Sequence, residues 1–501
     1  MEIKMNRSRM ALLAGCILGC AVLGGCGKTQ ETQEAVVTVG TYEAEDGSFS
    51  GNVHISNTLE GYSGTGYAEG FEADGDSCTF AVSVENDGFY DLQFTSAAIG
   101  GYKENYVMVD GDSVGNLVNE ETTFTDNSIE RVYLEAGEHE ITVSKYWGYI
   151  AIDKLTVLTS PALPKDYYEV SAKLSNPNAD DCAKRLMSYL CDNYGTNIIS
   201  GQYCDQGLYG QENAVIWKAT GKFPAMVGLD MMGYTPSFVA NGSEGKSIEY
   251  AKEAWEAGAI VTMCWHWNAP EKYLTGTWYS GFYKDYTNMN LDKIMNGEDQ
   301  EGYDLLLRDM DTIAGELQKL KEAGVPVLWR PLHEASGGWF WWGNCTAESY
   351  KALYRLMYER FTNEFELNNL IWVWNGQDKD WYPGDDVVDI VGEDIYPGEH
   401  VYTSQIAKYM EVHDYADSNK MVVLSENGCM FDPDLAIRDG AMWGYFGTWG
   451  GEFITSSGAL NIYSEQYTEE YMLQKIYNHE NVITLDELPD LTTYPIRKDA
   501  Q

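Results

Sequence analysis

Residues 324–343, GVPVLWRPLHEASGGWFWWG, decide the fold class of the second half of this 501-residue chain. The apolar start of the stretch predicts a buried parallel strand, because strands covered on both faces carry continuous apolar side chains. The strand closes on Glu334, a glycine turn follows, and four aromatic residues come next at positions 339–342. In (β/α)₈ barrels the catalytic groups lie at the C-terminal ends of the strands, so Glu334 is a candidate catalytic carboxylate.

A second strand that closes on a carboxylate lies further along, at MVVLSENG, residues 421–428. Residues 422, 424 and 426 share one face of a strand, so Glu426 points where the inward side chains point. Indole rings stack on the C–H faces of sugars, and the chain holds 15 Trp and 36 Tyr. Two strand-end carboxylates among many aromatic side chains predict a retaining glycosidase.

Helical and apolar strand patterns alternate from about residue 175 onward, and this predicts a (β/α)₈ TIM barrel over residues 175–501. The helical period is clear at 183–193, 247–257, 304–323 and 347–365. Strands are predicted at 198–203, 223–230, 259–266, 325–334, 370–375, 388–396, 421–426 and near 443–448. In this order Glu334 follows the fourth strand and Glu426 follows the seventh.

Residues 40–158 show a different pattern, in which apolar and polar residues alternate in short runs between Gly, Asp and Asn. The run SCTFAVSV at 77–84 is an example. A period of two with frequent turn residues predicts an all-β sandwich of the jelly-roll kind. Pro161 and Pro164 indicate a short, stiff linker over residues 159–174 before the barrel.

Residues 1–25 have the pattern of a bacterial lipoprotein signal peptide. Basic residues precede an apolar segment, Met10 to Leu23, that is too short to span a membrane. The segment ends in LGGC, which resembles a lipobox and predicts that Cys26 carries a lipid that anchors the protein at the cell surface. Residues 26–39 are then a polar tether. The alternative is an ordinary signal peptide with a chance cysteine.

The acidic balance of the chain excludes some partners. Lys and Arg number 33 against 77 Asp and Glu, giving a formal net charge of −44. This charge argues against nucleic acid and against anionic membranes, so we expect membrane contact only through the lipid. It fits a secreted monomer that acts on a neutral polymer. The ten cysteines include no CxxC and indicate neither a disulfide framework nor a zinc site, although a Cys182–Cys191 pair stays open.

The barrel half resembles glycoside hydrolase family 26, whose members are mostly β-mannanases. The strongest evidence is WRPLHE at 329–334 with GWFWWG at 338–343, a long and chemically unusual run. Shorter motifs support it in the same order along the chain: SGQ at 200–202, WHWN at 265–268, GEDIYP at 392–397 and LSENG at 424–428.

The resemblance implies a retaining endo-β-1,4-mannanase, in which Glu334 is the acid/base and Glu426 is the nucleophile. It implies no cofactor for catalysis, and a plant-type substrate such as mannan, glucomannan or galactomannan. The same chemistry on mixed-linkage β-glucan or β-1,3-xylan is one alternative. A non-catalytic surface glycan-binding lipoprotein is another, and the presence of both carboxylates disfavours it.

Further residues are implied to contact the substrate or to support the two carboxylates. Arg330 can hold a carboxylate ionised and oriented. Tyr396 resembles the family tyrosine that hydrogen-bonds the nucleophile, whereas Glu393 is predicted not to be catalytic, since its face opposes that of Asp394. The predicted substrate-binding set is His266, Arg330, His333, Trp339, Asp394, Tyr396 and Trp449.

The sandwich resembles carbohydrate-binding module family 35 over its whole length. The motifs are YEAE at 42–45, GYSGTGY at 61–67, GFY at 88–90 and IAIDKL at 150–155. The resemblance implies a structural Ca²⁺ with Glu43, Glu45 and Asp153 as hard oxygen ligands. The alternative is three solvated acids at strand ends. Trp147 and Tyr149 precede the last strand, where a sugar-binding loop is expected.

Overall fold

The computed structural model describes residues 35–456 and 462–501. The predicted signal peptide, Cys26 and most of the tether lie outside the described residues. Within those residues, no helix is both long and apolar enough to cross a membrane.

The first domain is a sandwich of two antiparallel sheets. One sheet has the strand order β3-β4-β11-β6-β9, with β1 also paired to β11, and the other has the order β2-β5-β10-β7-β8. The strands are β1 Thr38–Glu43, β2 Ser48–Ser50, β3 His54–Ser56, β4 Tyr67–Glu69, β5 Ser77–Val84, β6 Gly88–Ala98, β7 Lys103–Val109, β8 Asp112–Asn119, β9 Thr125–Leu134, β10 Gly137–Ser144 and β11 Ile150–Thr159.

The period-two pattern determines which side chains form the sandwich core. In β5 every second residue is buried, beginning with Cys78 and Phe80, and the residues between them are partly or fully exposed. Phe80 meets Phe94 of β6 with ring centroids 6.2 Å apart, so the two sheets share one core. The predicted all-β module is confirmed.

The second domain is a closed barrel of eight parallel strands, and the predicted barrel fold is confirmed. The barrel strands are β13 Gly201–Tyr203, β14 Met226–Asp230, β15 Ile260–Cys264, β16 Val327–Arg330, β17 Leu370–Trp374, β18 Ile390–Ile395, β19 Met421–Asn427 and β20 Phe446–Thr448. Two further short strands, β12 Ile198–Ile199 and β21 Val482–Ile483, pair with each other outside the barrel.

Helices follow most of the barrel strands along the chain. They are α1 Asp181–Asn193, α2 Gln211–Thr220, α3 Pro236–Val239, α4 Ser247–Glu256, α5 Leu291–Met295, α6 Gln300–Glu322, α7 Ala347–Glu359, α8 Ile406–His413, α9 Pro433–Asp439 and α10 Glu470–Tyr477. A five-residue π-helix, Arg360–Glu364, continues α7, so the predicted helix 347–365 changes its hydrogen-bonding pattern in its last turn.

Two predicted strands differ from the structure for local reasons. Residues 198–203 form two strands, because Ile198 and Ile199 pair with β21 while Gly201 to Tyr203 join the barrel. The fourth barrel strand ends at Arg330, and Glu334 lies beyond it with a left-handed φ of 54°. An apolar run marks buried residues, but it does not show where the ladder of hydrogen bonds stops.

The sandwich and the barrel pack directly on each other. Helix α8 lies against β8 and β9, and Ala407 packs on the sandwich core. The buried Arg131 lies 4.0 Å from the centroid of the Phe89 ring, and its Nε donates to the carbonyl of Asp439 at 2.7 Å. Its Nη1 donates to the carbonyl of Pro161 at 3.4 Å. The linker is therefore fastened by the same arginine that joins the domains.

The seven cysteines of the described residues are free thiols. Cys182 and Cys191 both lie in α1, nine positions apart, so they are about 13 Å apart along the helix axis. A disulfide needs Cα atoms no more than about 7 Å apart, and the Cys182–Cys191 pairing is therefore excluded.

Candidate active site

The two predicted catalytic carboxylates meet at the C-terminal ends of the barrel strands. An oxygen of Glu334, one of Glu426 and one of Asp394 all lie within 4.8 Å of one another. Retaining glycosidases hold their two carboxyl groups about 5–5.5 Å apart, and inverting enzymes hold them about 6.5–9.5 Å apart to admit a water. The separation is therefore that of direct attack on the sugar.

Glu426 is held by charge-assisted hydrogen bonds on both of its oxygens. Arg330 Nη2 donates to Oε2 at 2.5 Å, and the Tyr396 hydroxyl donates to Oε1. The same guanidinium donates through Nη1 to Asp394 at 2.6 Å and through Nε to the Tyr203 hydroxyl at 3.0 Å. Such bonds favour the ionised and oriented carboxylate that a nucleophile requires.

Arg330 and Asp394 support Glu426 from beneath. Both side chains are 0% exposed, which favours a role in orienting Glu426, and their contact with substrate stays a prediction. Ser425 Oγ also donates to Asp394, at 2.8 Å. Neighbouring residues of a strand point to opposite faces, so Glu393 points away from Asp394, and its Oε1 lies 3.9 Å from Lys408 Nζ.

Glu334 reaches the site through a turn beyond its strand. Its backbone N–H donates to the carbonyl of Asn375 at 2.9 Å, which anchors the left-handed residue to the end of β17. The indole Nε1 of Trp339 donates to Glu334 Oε2 at 2.8 Å. Trp339 is 41% exposed, so a sugar can lie on the ring that also holds the carboxyl group.

The two carboxyl groups differ in pKa because their neighbours differ. Burial raises the pKa of Glu334 well above its usual value, and the charges of Asp394 and Glu426 raise it further. Burial and Asp394 also raise the pKa of Glu426, but Arg330 and the Tyr396 hydroxyl oppose them, and it lies at about 6. These directions favour a proton on Glu334 and a charge on Glu426, the states that an acid and a nucleophile require.

The two predicted histidines lie together beside the carboxylates. The Nε2 atoms of His266 and His333 are 3.3 Å apart, and the His266 ring is edge-on to Phe340 at 5.4 Å. Trp449 lies 5.8 Å from His266 and 4.9 Å from the Tyr203 ring. The structure thus brings the predicted site residues of the barrel into one cluster.

Sequence reasoning missed several supporting side chains. Tyr203 ends the first barrel strand directly after the SGQ motif, and Ser425 precedes the nucleophile, so the motifs point to both. Tyr283 lies in the long connection after β15, and its ring stacks on that of Phe340 with centroids 5.5 Å apart. Burial raises the pKa of Tyr283, and the charge of Glu334 raises it further. No strand-end pattern marks Tyr283, because tertiary folding alone carries its loop to the site.

The three acids predicted to bind calcium gather around one loop of the module. Glu43 accepts from Ser63 Oγ at 2.7 Å, and Asp153 accepts from the Ser63 backbone N–H at 2.8 Å. Glu45 Oε1 accepts from the Thr65 N–H at 2.5 Å, while its Oε2 is buried without a hydrogen-bond partner. Hard oxygen donors with one unpartnered buried atom fit a Ca²⁺ ion.

The carboxylates of Glu43, Glu45 and Asp153 lie further apart than the ligands of a bound ion would. Among the described residues, two groups of three potential ligands lie within 4.8 Å of one another. One is Glu334 with Asp394 and Glu426, and the other is Asp230 with Cys264 and His266. The loop around Gly64 would therefore have to close further on a cation.

The barrel with its paired carboxylates defines a class of protein. An acid held protonated, a nucleophile held ionised and a separation for direct attack are the requirements of a retaining glycoside hydrolase. The aromatic side chains around the pair suit the apolar faces of sugar rings.

Comparisons with known proteins agree with this class. The family model "Glycosyl hydrolase family 26" matches residues 175–487, and "Carbohydrate binding module (family 35)" matches residues 40–159. The chain belongs to glycosyl hydrolase family 26 and carries a family 35 module.

Relatives match along nearly the whole chain. A protein of Thermothelomyces thermophilus described as mannan endo-1,4-beta-mannosidase is 38% identical over 484 residues, 96% of this chain and 96% of that protein. Mannan endo-1,4-beta-mannosidase B of Piromyces sp is 37% identical over 456 residues, 89% of this chain and 77% of that protein.

Two solved structures share the fold. The crystal structure of Podospora anserina GH26-CBM35 beta-(1,4)-mannanase has a TM-score of 0.63 and 38% identity, and it covers 92% of this chain and 100% of that chain. A ruminal GH26 endo-beta-1,4-mannanase has a TM-score of 0.65 and 30% identity, covering 90% of this chain and 98% of that chain.

Proposed function

We propose that this chain is an endo-β-1,4-mannanase that cleaves mannan-type polysaccharides with retention of anomeric configuration. The observation that carries the proposal is the pair Glu334 and Glu426, whose oxygens lie within 4.8 Å, with Arg330 and Tyr396 bonded to Glu426 alone of the two. The names of the relatives support mannan as the substrate class.

The proposed reaction is a double displacement. Glu334 donates its proton to the leaving glycosidic oxygen while the carboxylate of Glu426 attacks the anomeric carbon and forms a glycosyl ester. Glu334, now ionised, takes a proton from water, and that water releases the sugar with the original configuration. Arg330 and Tyr396 keep Glu426 ionised before the attack and stabilise it as a leaving group afterwards.

An assay of the purified chain on mannan, mixed-linkage β-glucan and β-1,3-xylan tests the substrate. We expect mannan to lose viscosity well before much reducing sugar appears, which is the result of internal cleavage. Proton NMR of the first product should show the retained anomer. An inverted anomer would overturn the mechanism, preference for another glycan would overturn the substrate, and no cleavage at all would indicate a glycan-binding protein.

We propose further that the module holds a structural Ca²⁺ ion through Glu43, Glu45 and Asp153. Those residues would supply carboxylate oxygens at one loop of the module, close to the first and last strands of the sandwich, β1 and β11. Glu45 Oε2 supports the proposal, since a buried carboxylate oxygen without a partner is costly unless a cation or donor meets it.

We also propose that the protein acts as a monomer at the cell surface, anchored by a lipid on Cys26. The basic residues, the short apolar segment and LGGC support the lipid. Cys26→Ser should release the protein or leave it unprocessed, as judged by cell fractionation and mass spectrometry of the mature N-terminus. Wild-type protein found free, cleaved elsewhere and without lipid would contradict the anchor. Light scattering of the purified protein measures its molar mass and so tests the proposed monomeric state.

A further inference from the structure

Asp230 ends the second barrel strand and belongs to none of the motifs that identify the site. Its Oδ2 lies 2.6 Å from Nδ1 of His266, and its Oδ1 accepts from the backbone N–H of His266 at 3.1 Å. Oδ1 also accepts from the N–H of Met232 at 2.8 Å. Both oxygens are thus engaged, so the carboxylate has one orientation and so does the imidazole bonded to it.

The rest of the His266 ring is enclosed by the site. Its Nε2 lies 3.3 Å from Nε2 of His333, and the rings of Phe282 and Phe340 stand edge-on to it at 5.2 and 5.4 Å. Trp449 closes a further side at 5.8 Å. The ring therefore has two polar neighbours, Asp230 on one nitrogen and His333 on the other.

The hydrogen bonds determine where the protons lie. A carboxylate only accepts, so Nδ1 of His266 carries a proton. The two Nε2 atoms can share only one proton across their contact, and Nδ1 of His333 is buried without any partner. A proton on that atom would be an unsatisfied donor, so the arrangement favours His333 donating to an unprotonated Nε2 of His266.

We propose that Asp230 is a positioning residue for the glycosidase reaction, because it fixes the orientation and the Nδ1–H tautomer of His266 beside the nucleophile. This inference rests on the proposed function for its kinetic consequence, but the state of the imidazole can be measured without it.

Asp230 also affects how readily His266 takes up a second proton. Burial lowers the pKa of His266, but the charge and hydrogen bond of Asp230 oppose burial, and the net shift is upward. The titratable and charged groups that face the ring come from several strands. They are Asp230 from the second strand, Cys264 from the third, Arg330 and His333 from the fourth, Glu426 from the seventh, and Asp205 after the first. Since burial and Arg330 act in the opposite sense, removal of the Asp230 charge should lower the pKa of His266.

The kinetic test uses Asp230→Asn, which keeps the volume but can donate as well as accept. We expect kcat on mannan to fall about ten-fold or more, with a smaller change in KM, because the loss concerns alignment in the transition state. In the His266→Gln background the same substitution should have almost no further effect, since Asp230 acts through His266. An equal, additive loss in both backgrounds would overturn the proposal.

Asp389→Asn is the matched control. Asp389 is likewise a buried aspartate that accepts backbone N–H groups, from Ser175 at 2.5 Å and Trp372 at 2.7 Å, but it precedes β18 and so lies at the opposite end of the barrel. Asp389→Asn should lower the melting temperature and leave the pH profile of kcat unchanged. If Asp230→Asn behaved in the same way, its role would be structural only and the proposal would be wrong.

NMR of the full chain labelled in its seven histidines tests the imidazole directly. The resonance that disappears in His266→Gln identifies His266. We expect a single Nδ1–H tautomer in the wild type, and in Asp230→Asn a lowered pKa with mixed tautomers. Unchanged tautomer and pKa would overturn the proposal. If the wild type does not cleave mannan, the proposed function fails, and the NMR result still decides whether Asp230 sets the state of His266.

Discussion

Two glutamates with the same side chain acquire opposite tasks through their neighbours. Glu426 faces a guanidinium and a phenol that stabilise its charge, whereas Glu334 faces the charges of Asp394 and Glu426 and one indole N–H. The pKa values of the two glutamates therefore differ because hydrogen-bond donors surround Glu426, whereas negative charges surround Glu334.

Glu426→Ala should abolish turnover without unfolding the chain. Without the nucleophile no glycosyl ester can form, and loss of such a step costs several orders of magnitude in rate. Initial rates on mannan and circular dichroism measure the two effects. A folded variant that keeps more than about a tenth of the wild-type rate would exclude Glu426 as the nucleophile.

Glu334→Ala should discriminate between leaving groups. A basic sugar oxygen needs a proton to leave, while an activated aryl oxide leaves without help, so the variant should lose far more rate on mannan than on an aryl mannoside. Added azide should restore part of the aryl glycoside rate by attacking the ester in place of water. Equal losses on both substrates would show that Glu334 is not the acid.

The pH dependence of kcat/KM should be bell-shaped. Activity needs ionised Glu426, so it should fall as the pH drops through about 6, and it needs protonated Glu334, so it should fall again above the raised pKa of that group. The Tyr396 hydrogen bond lowers the pKa of Glu426, and Tyr396→Phe should therefore move the acid limb to higher pH. Tyr283→Phe, which touches neither oxygen of Glu426, should leave that limb in place.

Among the strands and turns, local irregularities of the backbone position the candidate functional side chains. The pairing of β18 with β19 has an extra residue, Ser425, so that Asp394 is paired with Glu426 while Glu393 is paired with Leu424. Glu334 lies beyond the end of β16 in a left-handed backbone conformation, and its carboxyl group lies at the C-terminal end of the barrel. In the module, Gly64 has a φ of 64°, and a Cβ there would come within 2.1 Å of Glu45 Oε1, so the loop has no room for a side chain.

The module loop should bind calcium in a way that depends on Glu45. Isothermal titration calorimetry of the full chain should detect one Ca²⁺ ion, and Glu45→Gln should weaken binding because it removes a charged ligand. Calcium should also raise the melting temperature of the wild type, since it binds the native state alone. Glu138→Gln, an exposed acid elsewhere in the module, is the control. Identical titrations for wild type and Glu45→Gln would exclude this site.

At the scale of the whole molecule, one buried arginine joins the module, the linker and the barrel. Arg131 is 8% exposed and contacts Phe89 and the carbonyls of Asp439 and Pro161. Trp147, which the sequence places next to an expected sugar-binding loop of the module, is 52% exposed, and its ring lies 5.3 Å from that of Tyr102.

Arg131→Met should lower the free energy of unfolding by about 1–3 kcal/mol, because it leaves buried carbonyl groups without their donor. Urea unfolding followed by tryptophan fluorescence measures this change. Arg355→Met removes an exposed pair with Asp386 and should cost under about 1 kcal/mol. Equal effects of the two substitutions would mean that Arg131 does not stabilise the interface.

The amino-acid pattern was enough to predict both fold classes and to select Glu334 and Glu426 as the candidate catalytic carboxylates. Period-two alternation and apolar runs reflect burial, which is a local property of each residue. Glu334 and Glu426 follow strands whose order is given directly by the sequence. Motif residues such as Tyr396 could be predicted with them, because they lie within two or three positions of a strand end.

The positions of partners that come from distant strands could be read only from the folded barrel. Arg330 bridges Glu426 and Asp394, Asp230 holds His266, and Tyr283 reaches Phe340 from a long loop. These contacts depend on barrel closure, on the extra residue Ser425 in β19 and on the left-handed turn at Glu334. The physical reason is that hydrogen-bond geometry and the pKa values it sets depend on distances of a few ångströms between strands, whereas the sequence pattern records only which residues are buried.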